Sequence, residues 1–289
     1  MPTKIEKDAL TGKTTTGHEW DGIKELNTPL PKWWLYVLYA TIAWSAVWWL
    51  LYPSWPWLTG YFGGIIGANQ RLELVERMAV AEAKQSQYLE RIGAASLDQI
   101  AQDPELASFA LVGGGAAFAD NCAPCHGLGG AGQGFYPNLA DDAWIWGGTL
   151  DDIHTTILYG IRSDHEQTRF NAMPAYGALE MLSRGEISDV AEHVLSLSGH
   201  SEDPEAAARG AQIFAEQCVA CHGEQGEGMQ ELGAPALGDA IWQYGGTKEE
   251  IVAQIHSPRH GVMPAWVGRL EPETIKILAA YVHSLGGGQ

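Results

Sequence analysis

Two copies of one short motif, a pair of cysteines followed by a histidine, carry the most specific chemistry in this sequence. The copies comprise Cys122, Cys125 and His126, and Cys218, Cys221 and His222. Two cysteines separated by two residues, with histidine directly after, form the attachment signature of c-type haem. On one helical turn both sulfurs can reach the vinyl groups of a single porphyrin, while the histidine ring faces the iron. The sequence therefore predicts two covalently bound haem c groups, each with a histidine as an axial iron ligand.

Two other uses of closely spaced cysteines are weaker interpretations. A structural zinc site needs two such pairs that converge on one ion, and it does not require a histidine after each pair. A redox-active dithiol of the thioredoxin type needs a β-α-β context, which neither copy has in the sequence. Because the four cysteines of the chain all belong to two complete copies of the motif, the pattern favours haem.

A methionine followed by proline lies in register after each motif and offers a sixth iron ligand. These are Met173 and Met263. A thioether is a soft ligand that favours Fe(II) and raises the reduction potential. Core packing is the usual role of methionine, but two such pairs in register with two motifs favour ligation. Pairing in chain order is the default expectation, whereas exchange between the copies and bis-histidine ligation through His165 or His260 remain open.

The surroundings of the two motifs also match, which indicates an internal repeat. Each copy has a phenylalanine four residues before the first cysteine, a proline after the motif, and a final apolar helix. The repeated phenylalanines are Phe118 and Phe214, and the repeated prolines are Pro137 and Pro235. The final helix carries His193 in the first copy and Tyr281 in the second, and the first copy is longer within residues 163–171. The repeat predicts two tandem domains, residues 108–198 and 199–289.

Residues 33–52 form an apolar stretch of 20 residues without a charged side chain. As a helix with a rise of about 1.5 Å per residue, it would cover about 30 Å, the thickness of the hydrocarbon core of a bilayer. Tryptophan and tyrosine at both ends are typical of the membrane interfaces. A cleaved signal peptide has a shorter apolar region, and a buried helix of a soluble domain is the other alternative. The stretch predicts a single transmembrane helix.

The distribution of basic residues predicts the orientation of this helix. Residues 1–32 carry five lysines, whereas no basic residue follows the apolar stretch until Arg71. The positive-inside rule places residues 1–32 in the cytoplasm and the rest of the chain outside. Residues 53–107 then form a periplasmic helical spacer, and attachment of c-type haem in bacteria takes place on that side. We expect a single-pass protein of the bacterial inner (cytoplasmic) membrane.

Local patterns predict the remaining segments before the repeat. Residues 1–17 are polar and rich in threonine and lysine, so we expect them to be disordered. Residues 53–70 contain proline, glycine and aromatic side chains, which indicates an interfacial turn. Residues 70–102 show a helical pattern, in which Ser96 offers a capping box for a short second helix. This spacer is expected to dock on a neighbouring subunit or on the haem domains.

The net charge of the chain is −18, and all of it lies after residue 52, because the five lysines and five acidic residues of residues 1–52 cancel. This acidic surface excludes nucleic acid as a partner, since phosphates would be repelled. It favours a basic macromolecular partner that is steered by long-range electrostatics. Solubility alone is the alternative role of such a surface.

The order of anchor, spacer and two haem domains resembles subunit III, the di-haem subunit, of cbb3-type cytochrome c oxidases. Residues 18–34, which read HEWDGIKELNTPLPKWW, extend this resemblance beyond what haem attachment requires. Each repeat resembles a class I cytochrome c domain. The resemblance implies a mainly α fold with one N-terminal transmembrane helix, followed by two tandem class I domains. It also implies that the carbonyls of Pro137 and Pro235 accept a hydrogen bond from the ligand histidines, and that His193 is structural.

The resemblance further implies the partners and the role of the chain. As the electron-entry subunit of a cytochrome c oxidase, it would accept electrons from a donor cytochrome c. It would pass them to the mono-haem subunit and then to the catalytic haem-b/copper subunit, where oxygen is reduced. The chain itself would have no catalytic residues for oxygen reduction, because methionine and histidine close both axial positions. A free membrane-anchored carrier, a di-haem peroxidase and the cytochrome subunit of a membrane dehydrogenase are the alternative functions.

Overall fold

The structure is a computed structural model that describes residues 4–286 of the 289-residue chain. Residues 1–3 of the predicted N-terminal segment and residues 287–289 of the predicted second domain lie outside the described residues. The chain divides into two compact units, Met1–Glu82 and Ala83–Gln289. Helices predominate in the described range, and this composition confirms the predicted mainly α class.

The described range contains two β-hairpins and eleven α-helices. The strands are β1 (Thr15–Trp20), β2 (Ile23–Leu26), β3 (Pro56–Trp57) and β4 (Gly60–Tyr61). The helices are α1 (Lys32–Leu51), α2 (Gln70–Ala94), α3 (Leu97–Gln102), α4 (Pro104–Asn121), α5 (Ala123–His126), α6 (Leu150–Tyr159), α7 (Arg184–Leu197), α8 (Pro204–Gln217), α9 (Val219–His222), α10 (Lys248–His256) and α11 (Pro272–His283). Short 3₁₀ turns span Leu128–Gly130 and Gln230–Leu232.

The first unit begins with ordered backbone where the sequence predicted disorder. Strands β1 and β2 pair in antiparallel fashion, and an isolated bridge joins Lys7 to Thr14. The buried hydroxyl of Thr15 accepts a hydrogen bond from the Glu6 N–H at 3.0 Å. The prediction of disorder for residues 1–17 is therefore wrong from residue 4 onward. Polar composition hid this hairpin because backbone hydrogen bonds, rather than an apolar core, hold it together.

Helix α1 is long and apolar enough to cross a membrane, by length and composition. It spans 20 residues and begins one residue before the predicted stretch. Pro31 precedes it, at a position where a missing backbone N–H costs no helical hydrogen bond. None of its side chains is buried inside the protein, which distinguishes it from the core helix of a soluble domain. Its apolar surface therefore suits a lipid environment.

The second unit begins with the end of α2, which packs on α3, α4 and α11. A small cluster of buried side chains holds these elements together, and it contains Ile92, Ile100, Leu106, Ala110 and Ile277. The predicted capping box at Ser96 is confirmed, because its side chain accepts from the Gln99 N–H and the Gln99 side chain accepts from the Ser96 N–H. Lys276 donates to the carbonyls of Ile92, Gly93 and Ala95 at 2.7–3.2 Å. This cation caps the C-terminus of α2.

Two larger cores combine helices in an order that the sequence repeat did not predict. Core 1 joins α4 and α6 of the first copy to α11 of the second, around the buried Phe118. Core 2 joins α8 and α10 of the second copy to α7 of the first, around the buried Phe214. Each N-terminal helix therefore packs against the C-terminal helix of the other copy. The two copies therefore exchange their C-terminal helices, an arrangement that the sequence left open beside folding of each repeat on itself.

The exchange makes one core continuous in sequence and the other discontinuous. The residues of core 2 run from Met173 to Ile255, whereas those of core 1 come from two stretches, 97–158 and 263–282. Core 2 is thus inserted between the two parts of core 1. The predicted boundaries, 108–198 and 199–289, follow the sequence repeat and do not follow these cores.

A glycine at the same position of both N-terminal helices permits the two helix crossings. A Cβ on Gly114 of α4 would lie 2.5 Å from the Cβ of Tyr281 on α11. A Cβ on Gly210 of α8 would lie 2.0 Å from the carbonyl oxygen of Asp189 on α7. Because any other residue would push the helices apart, these glycines are needed for the close crossing.

A buried carboxylate in core 2 ties α7 to the segment that follows it. Glu192 is 2% exposed, and its carboxylate forms an ion pair with Lys248 of α10 at 2.8 Å. It also accepts hydrogen bonds from the Ser201 hydroxyl at 2.7 Å and from the Glu202 N–H at 3.2 Å. The hydrogen bond from Lys248, followed by that from Ser201, lowers the pKa of Glu192 to about 2. The ionised form of this side chain thus stabilises the fold.

We expect Glu192→Gln to lower the free energy of unfolding at neutral pH by on the order of 3 kcal/mol, since it leaves Lys248 without its buried partner. The pKa of Glu192 is depressed in the folded state, so its contribution is present above the ordinary value of 4.5 and is lost as the pH falls toward about 2. The difference between wild type and variant should therefore shrink over that range in denaturant unfolding. Glu216→Gln, at an exposed position on α8, is the matched control. A difference independent of pH would contradict the assignment.

Candidate haem sites

One helical turn presents the reactive side chains of each motif. Helix α4 ends at Cys122, and the backbone N–H groups of Cys125 and His126 both donate to the Cys122 carbonyl, at 3.1 and 2.9 Å. The same bonds recur in the second copy, at 3.1 and 2.9 Å. Gly127 and Gly223, with φ near +77°, end the two turns. Both copies thus hold the two sulfurs and the imidazole on one rigid turn.

A backbone carbonyl orients each motif histidine, as the sequence resemblance implied. Nδ1 of His126 lies 3.1 Å from the Pro137 carbonyl oxygen, and Nδ1 of His222 lies 3.0 Å from that of Pro235. Because a carbonyl only accepts hydrogen bonds, Nδ1 carries the proton in each ring. Nε2 is then the basic nitrogen that can ligate iron, and the hydrogen bond increases its basicity.

Burial sets the protonation of the motif side chains. It lowers the pKa of His126 and of His222, although the hydrogen bond to the proline carbonyl opposes this shift. Both rings are therefore neutral at neutral pH, which is the form that binds metal. Burial, followed by the neighbouring cysteine, raises the pKa of the Cys122 and Cys218 thiols to about 11. Such thiols stay protonated at neutral pH when no cation is bound.

The donor set of each turn fits haem c better than the alternatives. Within residues 4–286, no group of three or more His, Cys, Asp or Glu side chains is arranged to hold a metal ion. This finding counts against a structural zinc site formed by the two cysteine pairs. Two sulfurs and a neutral, oriented imidazole on one turn, beside an apolar core, match the requirements of a covalently attached porphyrin.

Each of the two methionines packs on the core that carries the motif of the other copy. Met263 packs on core 1, which includes Cys122, and Met173 packs on core 2, which includes Cys218. Backbone hydrogen bonds of 2.9 and 3.0 Å join Met263 to Ile161. The packing of these side chains therefore follows the exchange that the sequence left open, rather than the default pairing in chain order. The reason is the exchange of α7 and α11, because each methionine precedes one of these helices.

The aromatic contacts at the helix crossings follow the same exchange. The rings of Phe118 and Tyr281 lie 5.4 Å apart, and those of Phe214 and His193 lie 4.9 Å apart in an edge-on arrangement. His193 thus fills the position of an aromatic residue in core 2. This contact supports a structural role for His193.

The two histidines that could have replaced methionine are used differently. His165 stacks on Tyr159 with ring centroids 4.9 Å apart, and its Nδ1 accepts from the Gln167 N–H at 3.1 Å. His260 is exposed. Neither belongs to a core that contains a motif, so the arrangement gives bis-histidine ligation no support.

Two aromatic residues that follow the methionines were missed as positioning residues. The Tyr176 hydroxyl donates to the carbonyl of Gln217, directly before Cys218, at 2.8 Å. The backbone N–H of Trp266, whose side chain packs on core 1, donates to the carbonyl of Ile157 at 3.1 Å. The repeated Met-Pro-Ala-Tyr/Trp pattern was the available signal. These contacts anchor each methionine segment to the core on which its sulfur packs.

The fold and the two motif-bearing cores define a c-type cytochrome with an apolar N-terminal anchor helix. Residues 12–59 match the family described as the N-terminal domain of cytochrome oxidase-cbb3, FixP. Residues 110–194 and 205–282 each match cytochrome c oxidase, cbb3-type, subunit III. The first match covers the β1–β2 hairpin of this chain.

Curated relatives match along the whole chain. The cbb3-type cytochrome c oxidase subunit FixP of Bradyrhizobium diazoefficiens is 50% identical over 290 residues and covers 100% of both chains. Subunit CcoP of Azospirillum brasilense is 50% identical, with 98% of this chain and 99% of the relative covered. Subunit CcoP of Cereibacter sphaeroides is 45% identical, with 100% of both covered.

The chain therefore belongs to the family of subunit III of cbb3-type cytochrome c oxidases. It is a haem-binding cytochrome c subunit of an oxidoreductase complex, and it takes part in electron transport. Membership also implies that further oxidase subunits are its partners.

We expect His193→Leu to leave the optical spectrum of the haem-loaded protein unchanged, because this ring packs on Phe214 and does not ligate iron. The free energy of unfolding should fall by about 1 kcal/mol, which is the usual contribution of an aromatic pair beyond its buried area. Absorption spectra and denaturant unfolding measure the two effects. His222→Leu is the control, since it should alter the spectrum of one haem. A spectral change in His193→Leu would instead make this residue a ligand.

Proposed function

We propose that this chain is the electron-entry subunit of its oxidase. It accepts electrons from a donor cytochrome c and passes them to the mono-haem and catalytic haem-b/copper subunits. The observation that carries this proposal is the pair of complete haem motifs, each beside a core with a methionine, in a chain similar over its full length to cbb3-type subunits. Haem c held in this way supplies reversible one-electron exchange.

We further propose that the chain binds two haem c groups through thioether bonds to its four cysteines. His126 and Met263 ligate the first iron, and His222 and Met173 ligate the second. The packing of each methionine on the core of the other copy supports this crossed assignment. A methionine sulfur leaves no open axial position, so these residues favour electron transfer over oxygen or peroxide chemistry.

The anchor and the charge distribution support a topology for this function. We infer that residues 1–32 are cytoplasmic and that the spacer and both haem domains are periplasmic, because lysines are concentrated before α1. Helix α1 carries no carboxylate or histidine, so the helix itself offers no proton path. The acidic surface after residue 52 suits a basic donor protein that is steered electrostatically.

The crossed assignment can be tested in chains that carry a single haem. Cys122→Ala with Cys125→Ala leaves only the second motif, and Cys218→Ala with Cys221→Ala leaves only the first. With the second haem alone, we expect Met173→His to abolish the near-infrared band of methionine-ligated ferric haem, because this sulfur is the sixth ligand. Met263→His should leave that band unchanged. With the first haem alone, Met263→His should abolish the band and Met173→His should leave it unchanged. Loss of the band on substitution of the methionine of the same copy would refute the crossed assignment.

The role in the complex predicts that the purified, haem-loaded chain is redox-active but does not consume oxygen. Reduced donor cytochrome c should reduce it rapidly, and the rate should fall with rising salt as the electrostatic steering is screened. An oxygen electrode and stopped-flow absorption measure the two properties, with the whole oxidase complex as the positive control. Oxygen uptake by the chain alone would contradict the proposal. Failure to co-purify with a haem-b subunit would favour a free carrier.

A further inference from the structure

The segment that crosses from core 1 to core 2 lies between the two stretches that lead to the methionines. Ile161 pairs with Met263 on one side, through hydrogen bonds of 3.0 and 2.9 Å. On the other side it bridges to Arg169 in parallel fashion, since the Arg162 N–H donates to the Arg169 carbonyl at 2.9 Å. Residues 161–162 thus lie between the two stretches at a small junction.

The side chain of Arg162 binds both outer stretches of this junction. Its Nε donates to the carbonyl of Gly261 at 2.7 Å, and its Nη1 donates to the carbonyl of Asn171 at 2.9 Å. Each acceptor lies two residues before a methionine, Met263 in one case and Met173 in the other. A guanidinium is planar and rigid, so it fixes the distance between two acceptors in a way that flexible side chains do not.

The backbone of Arg162 supports a role for this side chain. Its φ is +50°, in the left-handed region that glycine adopts without strain. Among residues 4–286, only Asp21 and Glu180 are other non-glycine residues with positive φ. A strained backbone conformation is retained where the surrounding contacts stabilise it. A glycine would relieve the strain but would remove both hydrogen bonds to the methionine stretches.

A neighbouring arginine shows that these contacts are particular to Arg162. Arg169 precedes Met173 by four residues, yet its guanidinium donates to the Trp146 carbonyl and forms an ion pair with Asp152 at 3.0 Å. Both partners belong to the first copy, close to α6. The second methionine stretch is held from another side as well, because the Gly261 N–H donates to the Tyr244 hydroxyl at 3.2 Å.

We propose that Arg162 is a positioning residue that holds the two methionine stretches together and so seats both axial sulfurs at once. This inference rests on the proposed ligation of iron by Met173 and Met263. Since one guanidinium serves both stretches, its loss loosens both sulfurs. The sixth ligands of the two haems are therefore mechanically coupled through a single side chain.

The test is the affinity of each ferric haem for imidazole, which competes with the methionine sulfur. In the haem-loaded full-length chain, Met173→His closes the second iron, so that imidazole reports on the first iron only. Met263→His gives the reverse. In each background we expect Arg162→Met to tighten imidazole binding about tenfold, since hydrogen bonds from a charged donor contribute on that order. Arg162→Lys retains the positive charge but lacks the planar guanidinium that donates to two acceptors, so we expect a smaller increase in imidazole affinity.

Arg209→Met is the matched control, because Arg209 donates two hydrogen bonds of 2.8 Å to Asp189 and contacts neither methionine stretch. It should lower thermal stability and leave imidazole affinity unchanged. If Arg162→Met does not fold, Arg162→Lys carries the same test. The shared role of Arg162 is overturned if, at either iron, the imidazole affinity of the Arg162 variant is within twofold of that of the chain that retains Arg162. If the chain that retains Arg162 shows no methionine-ligated haem, that result refutes the proposed ligation itself, whatever the Arg162 variants do.

Discussion

Two close helix crossings, α4 on α11 and α8 on α7, determine how the two halves of the sequence repeat combine in the second unit. Each crossing buries a phenylalanine, Phe118 or Phe214, and closes at a glycine that no larger residue could replace. Because α7 and α11 each follow a methionine, the crossings also decide on which core that methionine packs. Haem attachment, by contrast, depends on a single turn that would form in either arrangement. The crossings therefore decide on which core each methionine packs, and the motif turns place the cysteines and the histidine.

The exchange of helices changes what the sequence repeat means. Gene duplication of a domain that folds on itself would give two independent units, each with its own two ligands. Here core 2 is continuous and lies between the two parts of core 1, and the loop around Arg162 joins them. The segment within which the first copy is longer, residues 163–171, lies at this junction.

The features that sequence predicted correctly are local ones. The motif turns, the proline carbonyls behind His126 and His222, the Ser96 capping box and helix α1 all depend on residues close together in the chain. The features it missed depend on distant partners. Both helices α7 and α11 carry equivalent apolar faces, so pattern alone cannot decide which one packs on α4. The N-terminal hairpin was missed for another reason, because its polar strands are joined by backbone hydrogen bonds that composition does not reveal.

The continuity of core 2 has a consequence for biogenesis. A chain is synthesised from its N-terminus, and domains generally fold as they become complete. Core 2 is complete once α10 has been synthesised, whereas core 1 must wait for α11, the last helix of the described chain. Core 1, which carries the upstream motif, is therefore completed after core 2. During that interval α4 exposes the apolar face that α11 later covers.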